Sequence, residues 1–99
     1  MSGCFMGFCL RLQFPECSTL KDRRSRVESI VHTAKNRHGF SAADISDPLK
    51  IDYAEVGLAA VGKNENEIRG RLDRVLAAAD RAGEMTVLAI EELEMTEDR

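Results

Sequence analysis

The 99 residues include 43% hydrophobic and 31% charged side chains and carry a formal net charge of -3, proportions of one globular domain rather than a disordered chain. No window approaches the ~20 apolar residues of a membrane span, and three cysteines without an export signal point to reduced thiols in a cytoplasmic protein. The acidic balance excludes a general attraction to nucleic acid, so any anion contact must be local. Positive charge gathers early: residues 1–40 hold seven Lys or Arg against three Asp or Glu, whereas residues 41–99 hold seven against fourteen.

The apolar opening lacks the basic n-region and cleavage site of a signal peptide and reads as a strand. Over residues 4–14, Cys4, Met6, Phe8, Leu10, Leu12 and Phe14 fall on one face. Phe5, Gly7, Cys9, Arg11 and Gln13 fall on the other, the alternation of a strand with one face in a core. Pro15 ends it. Thr19 and Asp22 form a T-x-x-D capping box, and Leu20, Val27, Ile30, Val31 and Ala34 repeat at helical spacing. A helix is therefore predicted from about Leu20 to Arg37, with Gly39 as its left-handed terminator.

A short strand is expected over Phe40–Ser46, followed by a connection over 47–51. Residues 52–62 form a third strand, with Ala54, Val56, Leu58 and Ala60 inward and Tyr53, Glu55, Gly57, Ala59 and Val61 outward. Asn64 with Glu67 opens a second helix, Ile68, Leu72, Val75, Leu76 and Ala79 give it one apolar face, and Gly83 closes it. Residues 85–91 read as the last strand and 92–99 as a frayed acidic tail. The order β-α-β-β-α-β with right-handed crossovers predicts a single α+β domain, the ferredoxin-like plait: a four-stranded antiparallel sheet with two helices on one face. The second face is left open.

The run from Pro15 through Thr19-Leu20-Lys21-Asp22-Arg23-Arg24 resembles P-x-x-x-[ST]-L-K-[DE]-[KR]-R, the signature of the small bacterial YlxP-like family. The similarity continues through Arg37–Ile45 and Ala54–Val61, so it covers nearly the whole chain. The resemblance implies a ferredoxin-like fold and a domain of unknown function. Members of that family are often encoded beside translation-initiation and ribosome-maturation factors, which implies a role with RNA or the ribosome.

Two surfaces stand out. A helix N-terminus attracts phosphate, and at 100° per residue Lys21, Arg24 and Lys35 lie on one flank of the apolar stripe, with Arg23, Arg26 and Arg37 on the other. Lys21, Arg23, Arg24 and Arg26 are expected to grip phosphates without reading bases, with Arg37 as a further contact. The plainer alternative is that these long side chains snorkel beside a buried stripe while Asp22 and Glu28 offset their charge. On the open sheet face, Phe5, Cys9, Tyr53, Ala59 and Val61 are expected to form an oligomer interface. Phe5 and Tyr53 are its only aromatics, too few for a base-stacking platform.

Chemistry is thinly represented. Cys4 and Cys9 point to opposite faces of one strand, and His32 and His38 lack metal-ligand spacing. Cys17 precedes a helix N-terminus near Lys21 and Arg23, a setting that favours thiolate, but a core cysteine is the competing reading. No catalytic residue, metal or cofactor is expected. The preferred reading is a non-catalytic accessory protein bound to ribosomal RNA or a ribosomal subunit. The alternative is a homo-oligomeric scaffold, most simply a homodimer, or a small-ligand regulatory module on the open sheet face.

Overall fold

The computed structural model describes residues 3–98. Its elements follow in the order β1 (Gly3–Gln13), α1 (Leu20–His38), β2 (Ser41–Asp44), β3 (Tyr53–Gly62), α2 (Glu65–Ala82) and β4 (Thr86–Asp98). The four strands form one antiparallel sheet in the order β2-β3-β1-β4. This is the ferredoxin-like arrangement that the sequence pattern predicts.

Alternation decides which face is buried. Cys4, Met6, Phe8, Leu10 and Leu12 from β1 and Ala54, Val56, Leu58 and Ala60 from β3 point into one core. Val27, Ile30 and Ala34 of α1 and Ile68, Leu72, Val75 and Ala79 of α2 close over it. Both helices start where a side chain satisfies a free backbone donor. Thr19 Oγ1 accepts from the Asp22 N–H at 3.1 Å, and Asn64 Oδ1 from the Glu67 N–H at 2.9 Å. Gly39 and Gly83 end the helices at φ 69° and 68°, in the left-handed region that side chains disfavour.

β4 departs from the sequence reading. Residues 92–98, expected to fray, continue the ladder on β1 as far as the Gly3–Asp98 pair, while Arg99 lies outside the described residues. The cause is β1 itself. It begins at Gly3 and pairs on its other side with β3, so its first half also needs a partner on the β4 side. Leu93, Met95 and Thr96 supply strand-forming side chains among the glutamates.

The β1–β4 ladder shifts register twice. Gly7 pairs with Glu94 and Phe8 with Glu92, so Leu93 is extra; Arg11 pairs with Ala89 and Leu12 with Val87, so Leu88 is extra. Such bulges re-aim the inserted side chain. Both leucines reach the open face, where Leu93 meets Gly7 and Leu88 stands beside Tyr53 and Glu55.

Candidate functional site

The basic start of α1 divides: Arg23 and Arg26 turn into the fold, while Lys21 and Arg24 stay exposed. Arg23 is only 4% exposed and is the first member of the buried stripe Arg23, Val27, Ile30 and Ala34. Its Nη1 pairs with Asp44 Oδ2 at 2.9 Å, and its Nη2 donates to Ser46 Oγ at 3.1 Å. Its Nε donates to the carbonyls of Lys50 and Tyr53. Arg23 is thus an internal clamp on the β2–β3 connection, and the expected phosphate contact is wrong for this residue. Leu20, which the sequence placed in the stripe, is about half exposed. Counting it turned the apparent stripe away from Arg23.

Arg26 is also committed within the chain. It binds the Asp22 carboxylate through Nε and Nη2, and its Nη1 donates to the carbonyls of Pro15 and Glu84 at 2.7 and 2.9 Å. The hydrogen bond from Arg26 holds the Asp22 carboxyl below its ordinary range, against the opposing effect of burial. Its donors are directed into its own fold, so the phosphate role expected of it does not fit either. Lys21, Arg24 and Arg37 remain exposed, with no hydrogen bond or ion pair among the described residues. Burial, together with the charges of Arg74 and Arg37, holds His38 below its ordinary pKa, so it adds no positive charge beside them at neutral pH.

The open sheet face divides into two ends. Phe5 pairs with Val61 at one end and Gln13 with Tyr53 at the other, eight residues or roughly 26 Å apart. At the first end a shallow depression of about 330 Å³ is lined by Phe5, Gly7, Ile45, Gly57, Ala59 and Leu93, with Ser41–Ala43 along its rim. Gly57 makes room for Ile45: a Cβ there would stand 3.3 Å from the Ile45 Cδ1. Val61 is 72% exposed and Leu93 54%, with Phe5 and Ile45 also well exposed. Phe5, Ala59 and Val61 are therefore brought together on the surface the sequence assigned to them. Ile45 and Leu93 were missed, Leu93 because a bulge breaks the alternation that would have revealed it.

The second end is polar and internally satisfied. A hollow of about 380 Å³ is bordered by Gln13, Asp47, Lys50, Asp52, Tyr53 and Glu55. Tyr53 Oη donates to Glu55 Oε1 at 3.2 Å, and Cys9 Sγ donates weakly to Glu55 Oε2 at 3.9 Å. Burial and then the Glu55 charge push both the Cys9 thiol and the Tyr53 hydroxyl above their ordinary pKa values. Both keep their protons at neutral pH, which leaves neither an activated nucleophile nor a base. Lys50 Nζ lies 5.8 Å from the Tyr53 ring centroid, and Arg11 Nη2 pairs with Glu91 Oε2 at 2.7 Å.

Cys9 is 3% exposed and cannot form the contact surface expected of it. It sits on a central strand, where Glu55 and Arg11 close over the thiol. Cys17 is also a core residue; its thiol donates to the Thr19 carbonyl at 3.7 Å. Among the described residues, no group of three or more His, Cys, Asp or Glu side chains is arranged to hold a metal ion. Nor is any described helix long and apolar enough to cross a membrane.

The family described as "Protein of unknown function (DUF503)" matches residues 6–92. No curated protein matches the chain. Among solved structures, the chain is similar to a protein from Chloroflexus aurantiacus J-10-fl that is provisionally described as an antibiotic biosynthesis monooxygenase. The identity is 15% and the TM-score 0.52, over 95% of this chain and 90% of that one. It is also similar to the de novo designed protein Foldit4, at 11% identity and TM-score 0.50 over 98% and 97% of the two chains. At these identities the likeness is one of fold alone.

Proposed function

We propose that this chain, which belongs to the DUF503 family of proteins of unknown function, is a non-catalytic module that pairs with a second copy through its open sheet face. The observation that carries this reading is the outward turn of Leu93 beside Phe5, Gly7 and Ile45. A bulge that adds a large apolar side chain beside Phe5 and Ile45 enlarges an exposed apolar surface suited to covering.

A two-fold axis through the apolar depression would pack the two sheets about 10 Å apart. It would also leave the polar ends of the two faces, with their Arg11–Glu91 pairs, at opposite margins. Sedimentation tests this directly: the 11.0 kDa chain should travel at twice its mass. Leu93→Arg combined with Ile45→Arg should return it to a monomer with unchanged circular dichroism. A double variant that still dimerises would exclude this face.

A second reading is supported by Lys21, Arg24 and Arg37, which project from α1 without partners among the described residues. The YlxP-like signature falls on the start of α1 with Lys21 and Arg24, while Arg37 lies in its last turn. Here the protein is a cytoplasmic, ribosome-associated accessory factor with about three phosphate contacts. Binding to ribosomal RNA would weaken with salt at a logarithmic slope of about -2 to -3. Lys21→Glu with Arg24→Glu should abolish the binding, and binding that survives them would remove RNA contact from this helix.

A further inference from the structure

β4 is one of the two edge strands of the sheet, and no strand lies on its far side among the described residues. Its 13 residues carry well-exposed apolar side chains on both faces: Leu88 and Leu93 on the open side, Ile90 and Met95 on the helix side. An edge with free backbone groups and apolar side chains on both faces is a template for another strand. On the helix side, a groove of about 450 Å³ runs along this edge between Leu76, Asp80, Met85, Thr86, Val87 and Ile90.

We infer that this edge takes up an extended segment of a partner protein by strand addition, and that the segment alternates apolar residues with Lys or Arg. Charge selects the occupant. Glu91, Glu92, Glu94 and Glu97 lie along β4, and Asp80 stands at the groove. A second copy of β4 would set these glutamates against their own images, opposite or one step diagonal, which is repulsive. A basic strand reverses that sign: its apolar residues enter the helix-side groove while its cations, on the opposite face, meet Glu91 and Glu94. The ion pairs Arg11–Glu91 and Arg69–Glu92 are exposed, and Glu94 has no ion pair among the described residues. Leu93 and Glu94 border the open-face depression as well, but the free backbone edge of β4 points outward in the plane of the sheet, so strand addition does not require the dimer.

The test uses the full chain and eight-residue peptides. A peptide alternating Val and Lys should bind at micromolar concentration and protect β4 amides from hydrogen exchange. The same peptide with every second amide N-methylated, made in both phases, should lose binding in one phase, because one row of its donors forms the ladder. Glu91→Lys with Glu94→Lys should weaken binding about tenfold, and a Val–Glu peptide should not bind. Any of three results overturns the inference: no binding by the Val–Lys peptide up to millimolar concentration, equal binding by both methylated forms, or protection confined to strands other than β4.

Discussion

Arg23 shows how a residue can satisfy a motif and still act differently from what the motif implies. Its position is legible in retrospect, because stepping back four residues from Val27 along the buried stripe reaches Arg23. Its partners are not legible, since Asp44, Ser46, Lys50 and Tyr53 lie 21 to 30 residues away and meet it only in the folded chain. Without Arg23, the Lys50 and Tyr53 carbonyls and the Asp44 carboxylate lose a donor. Arg23→Ala should therefore destabilise the protein by about 2 kcal/mol in urea unfolding, with increased hydrogen exchange over the β2–β3 connection.

The same clamp has a defined pH dependence. Burial opposes the Asp44 charge, but the bonds from Arg23 and Ser46 outweigh it and hold the carboxyl below its ordinary value. The folded value is below the unfolded one, so the stabilisation is complete above the unfolded pKa of about 4 and fades as pH falls through the folded value. Wild type should exceed Asp44→Asn in stability at neutral pH by about 1–3 kcal/mol. That gap should narrow below about pH 4; a gap independent of pH would show that the ionised carboxylate contributes nothing.

Among the elements, those specified by local chemistry were readable. Thr19–Asp22 and Asn64–Glu67 place both helix starts, Gly39 and Gly83 both ends, and strict alternation places β1 and β3. β4 was readable only in its first half. Its bulges interrupt the alternation at Leu88 and Leu93, and its glutamates have the composition of a solvated tail. Its outer half owes its order to the β1 edge it satisfies, a long-range cause. Truncation after Glu91 should therefore cost at least about 2 kcal/mol rather than nothing. It should also expose Cys4, now 2% exposed, to a thiol reagent. Wild-type stability with unreactive Cys4 would return residues 92–98 to the status of a dispensable tail.

At the scale of the whole molecule, two layers leave one sheet face uncovered. That Phe5, Ala59 and Val61 share this face was foreseeable from the alternation of β1 and β3. Its apolar depression was not, because Ile45 comes from the β2–β3 connection and Leu93 from a bulge. The basic patch went the other way: the +4 balance of residues 1–40 includes Arg23 and Arg26, whose donors are bound within the fold. Formal charge does not distinguish a cation facing solvent from one clamped inside. The geometry therefore favours protein pairing on the open face over a broad anion contact on α1.

Hydroxyl-radical footprinting across a dilution series tests that pairing most directly, because it reads individual side chains as the oligomer dissociates. Phe5, Ile45 and Leu93 should be protected at high concentration and become reactive on dilution, while Leu20, exposed on the helical layer, reacts equally throughout. Constant reactivity of Phe5, Ile45 and Leu93 across the series, or protection that appears at Leu20 instead, would contradict pairing through the open sheet face.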